Sequence, residues 1–353
     1  MNLSLQKTFY VFLWMAIIGL SILLMVAGEK ILVPLCFAIL IWHLINALAE
    51  TYGKLSLRKK SLPHWLALTL SILTILICFW VVWQIIIENM AAVINALPHY
   101  EANLEKSLAR ISEFFDLEQT PTLAQIIERI DFIALLSRLA ENLAGWTGIA
   151  VVIFLYLLFL LMEQQLFNQK IRLIFTNPAH ETRIRSILAK VRVETQHYLW
   201  VKTIISLIIG LTSYAILRMA RVDYAEFWAF LVFFLKYIPV LGAFVATLLP
   251  SLLALVQFES LYPFFLVFGG LGFLQFLIGN FFEPRMLGYS LNLSPFAVMV
   301  SLVIWWYIWG IAGMFLCVPI LVTMAIIFAH FPQTRPWSIL LAGRGQIGRF
   351  SEN

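Results

Sequence analysis

Charge is what this chain has least of. Between Arg285 and Arg335 there is no Asp, Glu, Lys or Arg, and charged side chains make up only 12% of all 353 residues, about half the roughly 25% of an ordinary soluble domain. That scarcity excludes a soluble globular protein. Cysteine is scarce as well: Cys36, Cys78 and Cys317 lie singly inside apolar runs with no CxxC spacing, which excludes a disulfide framework and a thiolate metal cluster. No GxxxxGK[ST] phosphate loop occurs, and the six His residues show no HExxH or other metal spacing, so neither an ATP engine nor a metal site is expected. No nucleophile, base and orienter can be picked out. We therefore expect no enzyme and no cofactor. The one literal GxGxxG, Gly343 to Gly348, follows no strand and is chance.

What the chain does have is apolar length. Hydrophobic residues fill 62% of it, and a bilayer crossing needs about 20 of them in succession. Uncharged stretches run from Thr8 to Gly28, Ile31 to Ala49, Trp65 to Ile87 and Asn142 to Met162. Less regular ones follow: Thr203 to Leu217, a long stretch from Phe227 to Phe258 interrupted by Lys236, Ser260 to Phe282, and Phe296 to Ala329. Thr8 to Gly28 exceeds a signal-peptide core and is followed at once by another span, so it reads as a retained helix. The expected fold is all-α, a polytopic integral membrane protein of about eight transmembrane helices with broken or re-entrant helices in the C-terminal half.

Basicity then reports orientation, since Lys and Arg gather in cytoplasmic loops; a pI near 9.1 implies no nucleic-acid partner. The segment Glu50 to His64 carries Lys54, Arg58, Lys59 and Lys60, and Glu163 to Lys202 carries seven basic against three acidic residues. Both belong in the cytoplasm. Glu88 to Glu141 carries nine acidic and four basic residues and belongs outside; with eight crossings both termini lie inside. Within that outer segment Thr120-Pro121 offers a helix start, and Leu123, Ile126, Ile127 and Ile130 repeat at helical spacing. Asn177-Pro178 likewise opens a helix whose Ile184, Ile187, Leu188 and Val191 share a face, an amphipathic helix for the headgroups or the bundle.

The chemistry concentrates at two islands. In Lys236-Tyr237-Ile238-Pro239-Val240-Leu241-Gly242 the proline removes a backbone donor and clashes with the preceding turn, so the helix breaks. Backbone groups freed at membrane depth need protein, water or solute as partners, and a cation beside them marks a solute path. Asn280-Phe281-Phe282-Glu283-Pro284-Arg285 makes the same case: Glu283 and Arg285 are the only Asp, Glu, Lys or Arg between Glu259 and Arg335. Pairing with each other, or of Glu283 with Lys236, would ease their burial, and a buried Glu283 is a candidate proton carrier. A snorkelling Lys236, a plain kink at Pro239 and a wet interfacial turn at Glu283 would explain the same residues. Gly310 and Gly313 divide the last apolar run and permit either close packing or a break. Trp305-Trp306-Tyr307-Ile308-Trp309 reads as an interfacial belt or packing surface. Two over-long apolar segments, each interrupted by Gly or Pro, match the paired broken helices of transporters.

These residues carry a resemblance to a known family. His197-Tyr198-Leu199 with Lys202-Thr203, Tyr237-Ile238-Pro239 with Gly242, Gly279-Asn280 with Glu283-Pro284-Arg285, and Gly313-Met314 with Val318-Pro319 together resemble the autoinducer-2 exporter family of bacterial permeases, in particular its autoinducer-2 transport type, over nearly the whole length. The resemblance implies a bacterial inner-membrane, multi-pass, oligomeric protein that exports autoinducer-2 or another small solute. Some members look like sodium or lithium/proton antiporters. One departure is that the family often has Asn immediately before Tyr-Ile-Pro, where this chain has Lys236.

The resulting expectation divides the chain into an N-terminal three-helix membrane region (residues 1–87), an extracytoplasmic helical insert (88–141), a fourth span with cytoplasmic amphipathic helices (142–202), a transport core (203–331) and a cytoplasmic tail (332–353). Lys236, Tyr237, Pro239, Gly242, Asn280, Glu283, Pro284 and Arg285 form the substrate path or its coupling, with Gly310 and Gly313 as hinge or packing residues. The partners are a small-molecule substrate, the lipid bilayer and further copies of the chain. A cation/proton antiporter and a membrane scaffold without transport are the rival readings.

Overall fold

The computed structural model describes residues 3–54, 56–57, 60–85, 87–89, 132–258, 260–287, 292–343 and 345. The expected outer insert, with its Thr120-Pro121 helix start, lies for the most part outside the described residues. What is described is helical, apart from a short antiparallel ladder of Ser56–Leu57 with Lys60–Ser61 and a single bridge between Leu293 and Ala342. Among the described residues six helices are long and apolar enough to cross a bilayer: Glu29–Lys54, His64–Asn89, Gly148–Ile174, Pro178–Met219, Tyr262–Leu287 and Pro295–His330. Their surfaces confirm the solvent they are made for. The first helix, Leu3–Ala27, leaves Phe12, Trp14 and Leu23 exposed, and His64–Asn89 exposes Trp80 and Ile77; apolar surface on that scale belongs in lipid. The chain is an all-α, multi-pass membrane protein.

Helices run past the ends of the apolar stretches. The apolar run from Asn142 lies inside Phe132–Ile174, and the amphipathic helix from Pro178 continues without a break into the run from Thr203, making one 42-residue helix, Pro178–Met219. Charged residues of good helix propensity do not stop a helix; only Pro, Gly or a cap does. Asn177 supplies the start, its side-chain oxygen accepting from the Ala179 amide at 3.0 Å.

The chain falls into two compact units, residues 1–43, 149–195 and 290–353 in one, and 44–148 and 196–289 in the other. In the first, the Trp309 indole donates to the Met25 carbonyl at 2.9 Å, Phe37 packs on Phe315 with ring centroids 5.4 Å apart, and Trp42 donates to the Gln164 side chain at 2.9 Å. The Arg335–Leu341 helix folds back so that the Ser338 hydroxyl donates to the Ala325 carbonyl at 2.9 Å. In the second, Trp228, Leu217, Leu253 and Leu271 are fully buried in one apolar core, and Ile205, Ile209, Val232, Ala246 and Ile278 form another.

Each unit contains a helix that doubles back. Pro295–His330 is interrupted at Trp309 and Gly310, the latter at φ 57, ψ −137, a conformation that glycine alone takes without strain. A Cβ on Gly313 would collide with the Trp305 carbonyl oxygen, eight residues back; along a straight helix that separation would be about 12 Å. The chain therefore reverses here, and Gly310 supplies the turn while Gly313 supplies the close approach. The Trp305–Trp309 part of the aromatic cluster packs at this turn, with ring centroids 4.8 Å apart.

The same device occurs in the other unit. Ala225–Leu235 and Leu241–Gln257 are separated by five residues, and a Cβ on Gly242 would collide with the Leu235 carbonyl. Helices of these lengths extend about 16 and 25 Å, so the pair is a hairpin of two short apolar helices. The long Phe227 to Phe258 stretch is thus a pair of short helices and not one long helix.

Replacing Gly310 with Ala should lower stability by about 1–3 kcal/mol. Gly19 is helical, and a Cβ added there would meet nothing within 4 Å, so it should accept Ala with no loss and up to about 1 kcal/mol of gain. Thermal unfolding of both variants in one detergent checks the contrast; equal melting temperatures would remove the turn at Gly310.

Candidate functional site

Pro239 makes the first half of the site. It has no N–H to offer the Leu235 carbonyl, so that carbonyl takes the Ile238 amide at 2.9 Å instead, and Tyr237 similarly donates to Phe234 at 3.1 Å. The helix tightens into i→i−3 bonds and stops. Val240 then sits at φ 59, ψ −63, and the Leu241 amide donates to the Pro239 carbonyl at 2.6 Å, which is the rare γ-turn with positive φ. A β-branched residue there is strained. The turn throws Lys236 and Tyr237 into the protein, where both are buried, while Val240 remains exposed.

Pro284 makes the second half. Lacking an N–H, it cannot continue the ladder to Asn280, and the preceding turn widens to a π-helix over Ile278–Phe282 in which the Glu283 amide donates to the Ile278 carbonyl, five residues back. Such single-turn π segments change which face later residues present. Glu283 emerges on the inner side; Asn280, Pro284 and Arg285 are more open, and the Asn280 side chain donates to its own helix at the Phe276 carbonyl, 2.9 Å away.

These halves meet through charge. The Lys236 ammonium lies 3.0 Å from one Glu283 carboxylate oxygen, and the Lys202 ammonium pairs with the other. Lys202 also donates to the Lys236 carbonyl at 3.3 Å. Beside them the Thr203 hydroxyl donates to the Leu199 carbonyl at 2.7 Å, so the Tyr237 hydroxyl, 2.8 Å away, is the donor to Thr203. Gly279 leaves its backbone bare where Lys236 passes: a Cβ there would be 3.8 Å from the ammonium. Of the two pairings open to Glu283, the one formed is with Lys236, and Arg285 is not part of the cluster. Gly310 and Gly313 belong to the other compact unit and take no part in it.

Lys202 and Thr203 were not among the residues expected at the site. Lys202 closes a basic segment and counts as cytoplasmic by charge tally, yet it shares a helical face with Ile205 and Ile209, at i+3 and i+7; that register, and the place of Lys202-Thr203 among the motifs that carry the family resemblance, were the available signals. Among the described residues no group of three His, Cys, Asp or Glu is placed to hold a metal.

Breaking a buried pair leaves an uncompensated charge, with a penalty of about 3–5 kcal/mol. Glu283→Gln, which strands two ammonium groups, should lose stability in that range, and adding Lys236→Met should recover part of it. Denaturant unfolding of the two variants decides this; a loss below about 1 kcal/mol is what an exposed pair would give and would mean that water reaches the cluster.

Comparison with known proteins agrees with this architecture. The family model described as AI-2E family transporter matches residues 10–333. A putative transport protein of Haemophilus influenzae is 27% identical over 351 residues, covering 96% of this chain and 97% of its own. The putative transport protein YhhT of Escherichia coli is 27% identical over 301 residues, 83% of each chain, and the AI-2 transport protein TqsA of Escherichia coli is 27% identical over 322 residues, 89% of this chain and 90% of that one. A helical membrane bundle with two doubled-back segments and a match along nearly its whole length is thereby placed: the chain belongs to the AI-2E family of transporters.

Proposed function

We propose that this protein is a bacterial inner-membrane permease that exports a small polar solute, autoinducer-2 or a related signal, through the path marked by the broken helices, with both termini in the cytoplasm and several copies assembled together. One observation carries the reading: Lys202, Lys236 and Glu283 are held together at the break between two short helices inside an apolar protein. Ionisable groups at such depth are expensive and mark a solute route. Half-helix ends and unwound backbone beside them are the groups with which transporters replace a solute's hydration shell. In this reading Tyr237, Pro239, Gly242 and Asn280 shape the path, Lys236 and Glu283 set its charge, Pro284 and Arg285 close its rim, and Gly310 and Gly313 let the second hairpin move. No catalytic step is assigned. The relation to the AI-2 transport protein TqsA supports the substrate class.

A cation/proton antiporter requires a carboxylate able to exchange metal for proton. Here both Glu283 oxygens are engaged by ammonium groups, which favours solute permeation.

Proteoliposomes containing the chain should release labelled autoinducer-2 faster than protein-free vesicles. Lys236→Met should slow that release roughly tenfold, the equivalent of about 1.4 kcal/mol. Release no faster than from empty vesicles, together with cation-driven proton flux, would replace this reading with antiport.

A further inference from the structure

The uncharged run of the Pro178–Met219 helix ends at Arg218, the first charged residue after Lys202. The Val222 amide there donates to the Leu217 carbonyl at 3.0 Å and the Arg221 amide to that of Arg218 at 3.1 Å, the paired bonds that end a helix through one left-handed residue. Glycine usually takes that position; here Arg221 holds it, at φ 57. Three residues on, Tyr224 is left-handed as well, at φ 56. Gln257 fixes the turn between them: its side-chain amide donates to the Arg221 carbonyl at 2.9 Å and its oxygen accepts from the Asp223 amide at 2.8 Å.

This turn borders an open cavity of about 420 Å³, lined by Arg218, Arg221, Asp223, Tyr224 and Glu226. All four charged side chains are exposed. Among the described residues neither guanidinium is hydrogen-bonded or ion-paired to a protein group; Arg218 lies over the Tyr214 ring, 6.0 Å from its centroid. Glu226 accepts from the Tyr214 hydroxyl at 3.1 Å, which uses one of the roughly four acceptor sites of a carboxylate. Two guanidiniums and two carboxylates therefore line one volume. A simple anion entering it would meet the carboxylates and a simple cation the guanidiniums, whereas a zwitterion complements both.

The surface leading to the cavity indicates which zwitterion. At 3.6 residues per turn, Leu207, Leu211 and Arg218 fall within about 40° of one another around the helix. The two leucines are 51% and 62% exposed, while Ile205 and Ile209, on the other side of the helix, belong to the core. Leu207 to Arg218 spans about 16 Å, half of the roughly 30 Å hydrocarbon layer and so one leaflet deep. We propose that this cavity is a headgroup site for a zwitterionic phospholipid bearing a primary ammonium, with its phosphate on Arg218 and Arg221, its ammonium on Asp223 and Glu226, and an acyl chain along Leu207 and Leu211. Guanidinium is the side chain whose planar fork fits phosphate oxygens. The carboxylates call for N–H donors, which an ethanolamine headgroup has and a choline headgroup lacks. None of these residues takes part in the permease reading, and the site stands without it.

Native mass spectrometry of the purified full chain in detergent tests this, with phosphatidylethanolamine, phosphatidylcholine and phosphatidylglycerol of identical acyl chains and with free phosphoethanolamine. Phosphatidylethanolamine should be retained in preference to both other lipids, and the free headgroup should bind far more weakly. Arg218→Gln combined with Arg221→Gln should weaken phosphatidylethanolamine binding about three- to tenfold. Glu226→Gln should remove its advantage over phosphatidylcholine. Exposed substitutions of this kind change stability little, and an unchanged melting temperature of each variant checks that the fold persists. Arg172→Gln, at an exposed arginine in the last turn of another spanning helix, should leave binding unchanged. Equal retention of the three lipids, or unchanged retention in the double arginine variant, overturns the proposal. Free phosphoethanolamine binding as tightly as the lipid assigns the cavity to a soluble zwitterion and overturns the lipid assignment.

Discussion

Everything distinctive in this protein depends on withdrawing one carboxylate and two ammonium groups from water within a bundle otherwise built from apolar side chains. Separately, each ion would be prohibitively costly to bury; together they are tolerable because opposite charges and backbone carbonyls supply what water no longer does. Lys202 comes from a long continuous helix, Lys236 from the end of an interrupted one, and Glu283 from the far side of a π turn. Three different local backbones have to be correct for the charges to meet. A charged set assembled this way also ties the end of the Ala225–Leu235 helix to the helices that carry Lys202 and Glu283.

The interruptions are themselves products of elementary chemistry. Pro239 and Pro284 lack the donor that would continue the ladder, and the chain answers differently in the two places, tightening to a γ-turn in one and loosening to a π turn in the other. In both hairpins a glycine lies where a methyl group would strike a carbonyl from the opposite arm. Two separate units thus arrive at the same solution for reversing an apolar helix.

The membrane character was plain from the scarcity of charge, and so was the break at Pro239. Pro239 and Pro284 announce themselves because missing donors are a property of the residue, not of its surroundings. The long Phe227 to Phe258 stretch was already too long and too interrupted for a simple crossing. Less visible were helix ends: charged residues of good helical propensity allowed Pro178–Met219 to run through what a charge count divides into loop and span. Lys202 was hidden for the same reason, since a tally by segment ignores the face on which a residue lies.

The sequence by itself determined the solvent, the helical class, the break at Pro239 and the identity of the scarce ions, because hydropathy, backbone donors and charge are carried by residues one at a time. Only the tertiary structure decided which ions meet. It left Arg285 outside the cluster and turned Lys202 inward, chose Lys236 as the partner of Glu283, and made Gly310 a turn and Gly313 a contact point. Those outcomes depend on helix register and on distances between segments 34 to 81 residues apart in the chain, and no local property of a residue encodes them.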